Sequence, residues 1–365
     1  AGGGSDGGSE NYNIAIGEGA LGAETTGAEY CVAIGHNALI LQNADVKNTA
    51  IGGLAGDAIT TGYSNTLIGY AAGSAGTTSD GTPAFNNNTM VGHQAGMAAT
   101  EGGQNTFIGA YAGDAAVTGD DNTCVGYAAG TNLLSGPGNV LMGYGAGSQM
   151  TDGDYNVAIG FNAADAMVGA SNLNVAIGKN ALGAEASGAD YCVAIGGDAL
   201  SSQDDASANN IAIGTNAGLA ITSGTQNVLI GFEAGSTLAT VNVNTALGGF
   251  AGKSVSGGAG NSIFGTYAMY TADGAEAYNT AIGRSALYAL NDDAASGSVA
   301  IGSDAGRYYD ASPTDTTDAN GDGALTKAIN CVYIGTQAKG AGATAGLVSN
   351  PVGITVAAGL ALASM

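Results

Sequence analysis

The chain has 365 residues, of which 65 are glycine and four are proline, while 45% are hydrophobic and only 10% charged. Glycine at more than twice its usual share of about 7% disfavours an ordinary globular enzyme, and so much apolar content with so little charge excludes a collagen-like or charge-rich disordered chain. Seven basic against thirty acidic residues leave a net charge of −23, a field that repels phosphate backbones and excludes nucleic acid as the expected partner.

Residues 1–10 read as a glycine-rich lead-in. The sequence opens on Ala1, and no basic segment followed by an apolar one comes first, so an export signal is expected to have been removed or to lie outside this sequence. From residue 11 to residue 340 one motif, Asn-x-x-Ile-Gly-x-x-Ala, recurs eighteen times. Its glycines run from Gly17, Gly35, Gly52 and Gly69 to Gly283, Gly302 and Gly335, and fifteen of the seventeen intervals are 17, 18 or 19 residues. The two longer intervals, 23 and 33 residues, read as insertions at 74–87 and 308–327 into a regular array rather than as domain boundaries. Residues 341–365 form a C-terminal apolar segment. Its longest apolar stretch, Val352 to Ala363, is too short for a membrane helix, so no membrane insertion is expected.

Aligning the copies assigns each column a physical task. The residue before the glycine is always apolar and usually isoleucine, as in Ile16, Ile34, Ile51 and Ile68, and is expected to face a core. Three residues before the glycine stands a β-branched residue in every copy but one, Ser262 being the exception, which is strand chemistry. Three residues after it all eighteen copies carry alanine, which implies a place where only one methyl fits. A period of 17–18 residues cannot hold a pair of helices but does hold one turn of a parallel β-solenoid or β-roll. With turns about 4.8 Å apart, eighteen of them predict an all-β rod on the order of 85 Å long.

Asparagine stands four residues before the glycine in fourteen copies, among them Asn13, Asn48, Asn65, Asn105, Asn122, Asn156, Asn174, Asn210 and Asn279. Stacked amides can hydrogen-bond from turn to turn, so these residues are the expected structural ladder. Cys31, Cys192 and Cys331 replace asparagine in that column, which makes three of the four cysteines structural substitutions rather than catalysts; the fourth is Cys124. The column two residues before the glycine is also apolar throughout, alanine in ten copies and otherwise residues such as Leu67, Met90, Phe107 and Tyr333. A strand apolar on both faces is buried on both, and a one-chain coil has only one inside. The economical cover for the other side is a further copy of the chain in a closed oligomer.

The segments Asn156 to Ala163, Asn174 to Ala181 and Asn210 to Ala217 resemble the head repeat of trimeric autotransporter adhesins. Asn65 to Gly73, and approximately Asn122 to Gly130, resemble still more the repeats of phage tail-fibre proteins. The resemblance covers about residues 11–339 and implies a homotrimer of left-handed parallel β-rolls on a virion surface or, alternatively, a bacterial surface. The autotransporter repeat is usually shorter, and no heptad stalk or membrane-anchor strands are recognisable, which favours the phage-like reading. Expected partners are further copies of the chain, a host surface glycan or protein, and neighbouring fibre or filament subunits.

Candidate sites are few. Gly17 to Gly22 matches the dinucleotide fingerprint formally, but its first glycine is the repeat glycine and no strand–helix unit follows. His36 and His93 follow repeat glycines and read as variable surface positions. Within the second insertion, Asp318, Asn320 and Asp322 match the first half of a calcium loop, although the closing acid is missing; calcium binding and an acidic solvated turn both remain open. Tyr70, Tyr127, Tyr144, Phe161 and Phe232, each just after a repeat glycine, are the candidate receptor contacts, and packing between turns or in a trimer is the competing reading. The sequence brings no catalytic constellation together, so a non-enzymatic fibre contributing to host attachment is the expectation, with an adhesin head or a structural filament as alternatives. In the filament alternative, Val352 to Ala363 would add a strand to the next subunit.

Overall fold

A computed structural model describes residues 12–23, 29–42, 47–76, 85–115, 117–169, 171–184, 190–204, 208–255, 257–272, 276–290, 296–307, 332–338 and 354–356. The chain divides into two units, Ala1–Asp190 and Tyr191–Met365. Among the described residues there are strands and turns but no helix, and the fold is an all-β parallel solenoid.

In the first unit every copy of the repeat supplies one three-residue strand, from β1 (Ile14–Ile16) and β2 (Val32–Ile34) to β9 (Val157–Ile159) and β10 (Val175–Ile177). Each strand pairs in parallel with the next, position for position: Thr106 faces Thr123, Phe107 faces Cys124 and Ile108 faces Val125. The second unit repeats the scheme from β11 (Val193–Ile195) through β21 (Val332–Ile334). Three short strands, β15 (Ser254–Val255), β17 (Thr271–Ala272) and β19 (Ala289–Leu290), add a second parallel ladder there. A last strand, β22 (Ile354–Val356), pairs in parallel with Val332–Ile334 of its own chain.

The strands decide which column is inside. In the strand Thr106–Ile108, Phe107 is fully buried whereas Ile108 is 40% exposed, and the same alternation runs along the array. The expectation that the isoleucine column faces the core is thus corrected for the single chain: the interior belongs to the column two before the glycine, and the isoleucines point outward. The reason is width. The coil interior is slim and is lined by the alanines three after the glycine, such as Ala38, Ala112 and Ala217, all fully buried, so it admits small residues in most turns.

Where a larger residue enters, the chain makes room. Phe107 and Met90 fill the space at Gly96, and Leu67 and Met90 that at Gly73, where an added methyl would meet their side chains. Several turns with alanine in the strand place leucine at that point instead, as Ala33 does with Leu39 and Ala194 with Leu200, all buried. The repeat glycine is fixed by two constraints at once. Gly109 has φ +136°, a conformation L side chains rarely adopt, and a Cβ there would land on the carbonyl of Gly126 in the next turn.

Candidate functional site

The asparagine column forms a ladder, though not chiefly between amides. In the first unit the Oδ1 of each asparagine accepts the backbone N–H of the next, from Asn48 through Asn65, Asn105, Asn122 and Asn156 to Asn174, over 2.8–3.0 Å. The second unit continues the pattern from Asn210 to Asn279 and Ser298 at 2.8–2.9 Å. In most turns the Nδ2 group donates across the coil to a carbonyl fourteen or fifteen residues on, as Asn105 does to Gly119 at 3.0 Å and Asn210 to Gly224 at 2.6 Å, while that of Asn122 is buried without a partner. Each side chain thus satisfies backbone groups that a three-residue strand leaves open, a strong use of a buried amide. Asn13 begins the series by accepting the N–H of Cys31 at 2.9 Å.

Where cysteine interrupts the ladder, a buried glutamine stands in. The Gln42 Nε2 donates to the Cys31 Sγ at 2.9 Å, and its Oε1 accepts from the Asn48 Nδ2 at 3.1 Å. The Asn210 Nδ2 donates likewise to the Gln203 Oε1 at 2.7 Å. Gln42 and Gln203 lie eleven residues after Cys31 and Cys192, a recurrence present in the sequence but visible as a coupling only once the coil is closed. Cys124, in the strand column, is fully buried, and burial pushes its thiol up to about 12, so it is not a nucleophile at neutral pH.

The outward side of the strands carries two columns. Isoleucine or a relative stands before the glycine, with exposures such as 58% at Ile16, 37% at Ile51 and 39% at Ile301. Beside it runs the β-branched column, half-buried, including Thr49, Thr66, Thr89, Thr106 and Thr123 in consecutive strands. The result in each unit is a regular apolar face broken only by small hydroxyls, larger than the scattered apolar side chains of an ordinary surface.

The candidate receptor contacts separate into two groups. Tyr70, Tyr127, Tyr144 and Phe161 lie in one continuous ladder in the first unit, with His93 and Tyr111 between them. Successive ring centroids are 5.1–5.7 Å apart, and Tyr127, Tyr144 and Phe161 are nearly parallel. Parallel rings that close overlap face to face, so packing between turns occupies the faces that a sugar would use, while about half of each ring remains in water. His93, read from the sequence as a variable surface position, is a member of this ladder. Tyr111 sits one residue later in its turn, in the left-handed region at φ 59°, and enters edge-on.

Phe232 belongs instead to a cluster in the second unit that the sequence did not reveal. Phe250 and Tyr267 stack at 4.9 Å, Tyr270 and Tyr288 stack at 5.2 Å, and the two stacks meet edge to face. Phe232 touches Phe250 edge-on at 5.2 Å. Lys253 caps one end, 5.3 Å from the Phe250 ring and 2.6 Å from Glu233. That hydrogen bond, opposed by burial, holds the Lys253 ammonium above its ordinary value. Arg307 caps the other end, 5.0 Å over Tyr288 and 2.7 Å from Asp304. Burial pushes the Asp304 carboxyl up, but hydrogen bonds from Arg307 and Ser303 and the charges of Arg284, 3.2 Å away, and Arg307 outweigh it and hold the group below the usual carboxylate range.

Gly17 to Gly22 lies in a turn of the coil with no helix after it, so the dinucleotide arrangement is not formed. Asp318, Asn320 and Asp322 lie outside the described residues. Among the described residues no three histidine, cysteine, aspartate or glutamate side chains gather as a metal site, and no helix is long and apolar enough to cross a membrane. Comparison with protein-family models, with curated proteins and with solved structures finds no match.

Proposed function

We propose that this chain is a non-enzymatic fibrous subunit of a virion or cell surface, which associates with copies of itself into a rigid spacer and contributes to host attachment. The observation that carries the reading is the doubly apolar strand: with the interior filled by one column, a second apolar ladder of isoleucine and threonine or valine still faces outward in every turn. An apolar ladder of that regularity is best covered by its own counterpart, because a second copy supplies the same spacing of turns. A closed trimer, as the repeat's resemblance implies, covers three such faces at once.

The most conspicuous columns of the repeat, with their pairing of asparagine, cysteine and glutamine, are spent on holding turns together. Attachment would then be multivalent, identical faces presenting weak contacts whose combined avidity exceeds any one of them. The half-exposed rims of the Tyr70-to-Phe161 ladder are the candidate contact in the first unit. Replacing Ile51, Ile108 and Ile159 together by serine tests the assembly. The expected result is a folded β protein with a lower mass in solution than the parent chain, and an unchanged mass would refute the assignment of the face.

A further inference from the structure

The outward side of the repeat is short of carboxylates as well as rich in hydrocarbon. Across the eighteen copies, the positions five, three and one before the glycine and one after it hold two of the chain's thirty acidic residues, Glu18 and Asp121. The columns three and one before the glycine hold none. Among the described residues these four columns are exposed or half-buried, whereas from Cys31 onward the residues between them, four and two before the glycine, are buried. The acids stand elsewhere on the same turns. Asp152 and Asp154 come just before the outward positions of their turn, and Asp165 follows them, half-buried. Asp120 and Asp190, each one residue outside the columns, are tied back to the preceding turn, accepting the N–H groups of Gly103 and Asn172 at 2.7 Å.

On this side, hydrocarbon is concentrated in three consecutive turns of the first unit. The strands Val140–Met142, Val157–Ile159 and Val175–Ile177 pair position for position, so that Met142 faces Ile159 and Ile159 faces Ile177. The copy around Gly160 is the only one with tyrosine or phenylalanine at both ends of its strand, Tyr155 before and Phe161 after. Phe161 stacks on Tyr144 of the turn before at 5.1 Å. Tyr155 is 59% exposed, and its ring lies over Gly138 of the turn before, where an added methyl would meet it. Leu173 occupies the same column one turn later and is exposed too. Lys179 is the single charge among the outward positions of these three turns. A surface that gathers aromatic residues and methionine while excluding aspartate and glutamate has the composition of an interface centre, where most binding energy is held.

We propose that copies of the chain meet through the patch of Met142, Tyr144, Tyr155, Ile159, Phe161 and Leu173, and that the charge carried elsewhere on the chain makes this meeting depend on salt. A second copy is the occupant that the charges favour. A basic partner would be drawn to the sides where the acids stand, and a polyanion would be repelled by the net charge of −23. Two carboxylate-poor faces laid together avoid setting like charges against each other, which any other pair of faces on so acidic a chain would do. In 0.01 M salt the field of each chain reaches about 30 Å, so two copies repel before they touch; near 0.1 M it reaches about 10 Å, and the contact itself decides. The inference rests on the self-association reading. It assigns Tyr144 and Phe161 to assembly and leaves Tyr70 and Tyr127 as the receptor candidates of their ladder.

The test is sedimentation of the labelled full chain from nanomolar to micromolar concentration, in about 10 and about 300 mM sodium chloride, beside its Tyr155→Ser, Tyr155→Glu and Leu134→Glu variants. Leu134 is exposed but stands outside the four columns, so Leu134→Glu adds the same charge away from the patch. The parent is expected to assemble roughly tenfold more tightly at the higher salt. At either salt, assembly is expected to weaken roughly tenfold in Tyr155→Ser, further in Tyr155→Glu and no more than about threefold in Leu134→Glu. Tyr155 variants that assemble like the parent would overturn the patch, as would a Leu134→Glu variant weakened as much as Tyr155→Glu. Assembly that does not tighten with salt would overturn the dependence on charge. Tyr155 is exposed, so its variants are expected to fold, and an unchanged circular-dichroism spectrum checks this. If they assemble like the parent while the triple isoleucine variant does not, the patch fails and the assembly reading stands; a parent of 35.0 kDa at both salts would sink both.

Discussion

Two neighbouring residues on opposite sides of one strand, Phe107 and Ile108, separate the inside of the coil from its outside. Phe107→Ala empties a fully buried site whose neighbours, Gly96 and Gly113, have no side chains with which to refill it. Its expected cost is therefore at the upper end of the range for such truncations, about 4–5 kcal/mol, and independent of protein concentration. Ile108→Ala removes about 2.4 kcal/mol worth of buried hydrocarbon if its surroundings are complete, at about 0.8 kcal/mol for each carbon group. In the single chain Ile108 is already 40% exposed, so roughly 1 kcal/mol of that can come only from a partner that covers it. Chemical denaturation at several protein concentrations, followed by circular dichroism, reads both. The expected pattern is a large constant loss for Phe107→Ala and a smaller loss for Ile108→Ala that shrinks on dilution, because dilution takes the partner away from the parent chain as well. A concentration-independent loss for Ile108→Ala as large as that for Phe107→Ala would refute the assignment of inside and outside.

Other substitutions probe the ladder and the charges. Asn105→Ala strands the N–H of Asn122 and the carbonyl of Gly119, two buried backbone groups, and is expected to cost about 2–5 kcal/mol in thermal or urea unfolding; a loss below 1 kcal/mol would show that the ladder is dispensable. Gln42→Leu removes the acceptor of Asn48 and the donor to Cys31, and Cys31→Asn crowds the same glutamine, so the double variant is expected to be less destabilised than the two single losses combined. Strict additivity in a double-mutant cycle would count against the coupling. Burial, only partly offset by its own backbone N–H, raises the carboxyl of Asp114. An acid raised on folding binds protons more tightly in the native state, so it opposes folding above its folded value and the penalty fades as pH falls through it. Asp114→Asn is therefore expected to raise the melting temperature at pH 7 and to lose that advantage below about pH 4, whereas an advantage that persists at pH 3 would point to another cause.

Much of this fold is legible in the sequence because a solenoid writes its constraints once per turn. The glycine column, the alanine three residues on and the asparagine four before each mark a place where the structure tolerates one solution, and all three are found where the periodicity puts them. The direction of the strand was not legible. Ala50 and Ile51 are both apolar, and bulk suggests that isoleucine belongs inside; only the narrowness of the interior, set by residues such as Ala112 and Ala129, reverses that. The compensation between Leu67 or Phe107 and the glycines opposite them was present in the alignment but depends on which turns meet across the coil.

The contact sites were less legible for a related reason. Tyr70, Tyr127, Tyr144 and Phe161 share one column and are visible as a stripe, but His93 is hidden by its chemistry and Tyr111 by its one-residue offset. The second-unit cluster draws on two different columns, Phe250 and Tyr267 from one and Tyr270 and Tyr288 from another, which become neighbours only when each turn closes on itself. Its charged caps are single residues in positions that are polar, small or variable elsewhere, so no column average exposes them.

The central claim is that the outward isoleucine face is covered by further copies of the chain, and the absolute mass in solution, measured by light scattering at micromolar concentration, tests it most directly. A mass near three times 35.0 kDa is the predicted result. A stable, non-aggregating species of 35.0 kDa would contradict the claim, because the apolar face would then stand in water without a partner.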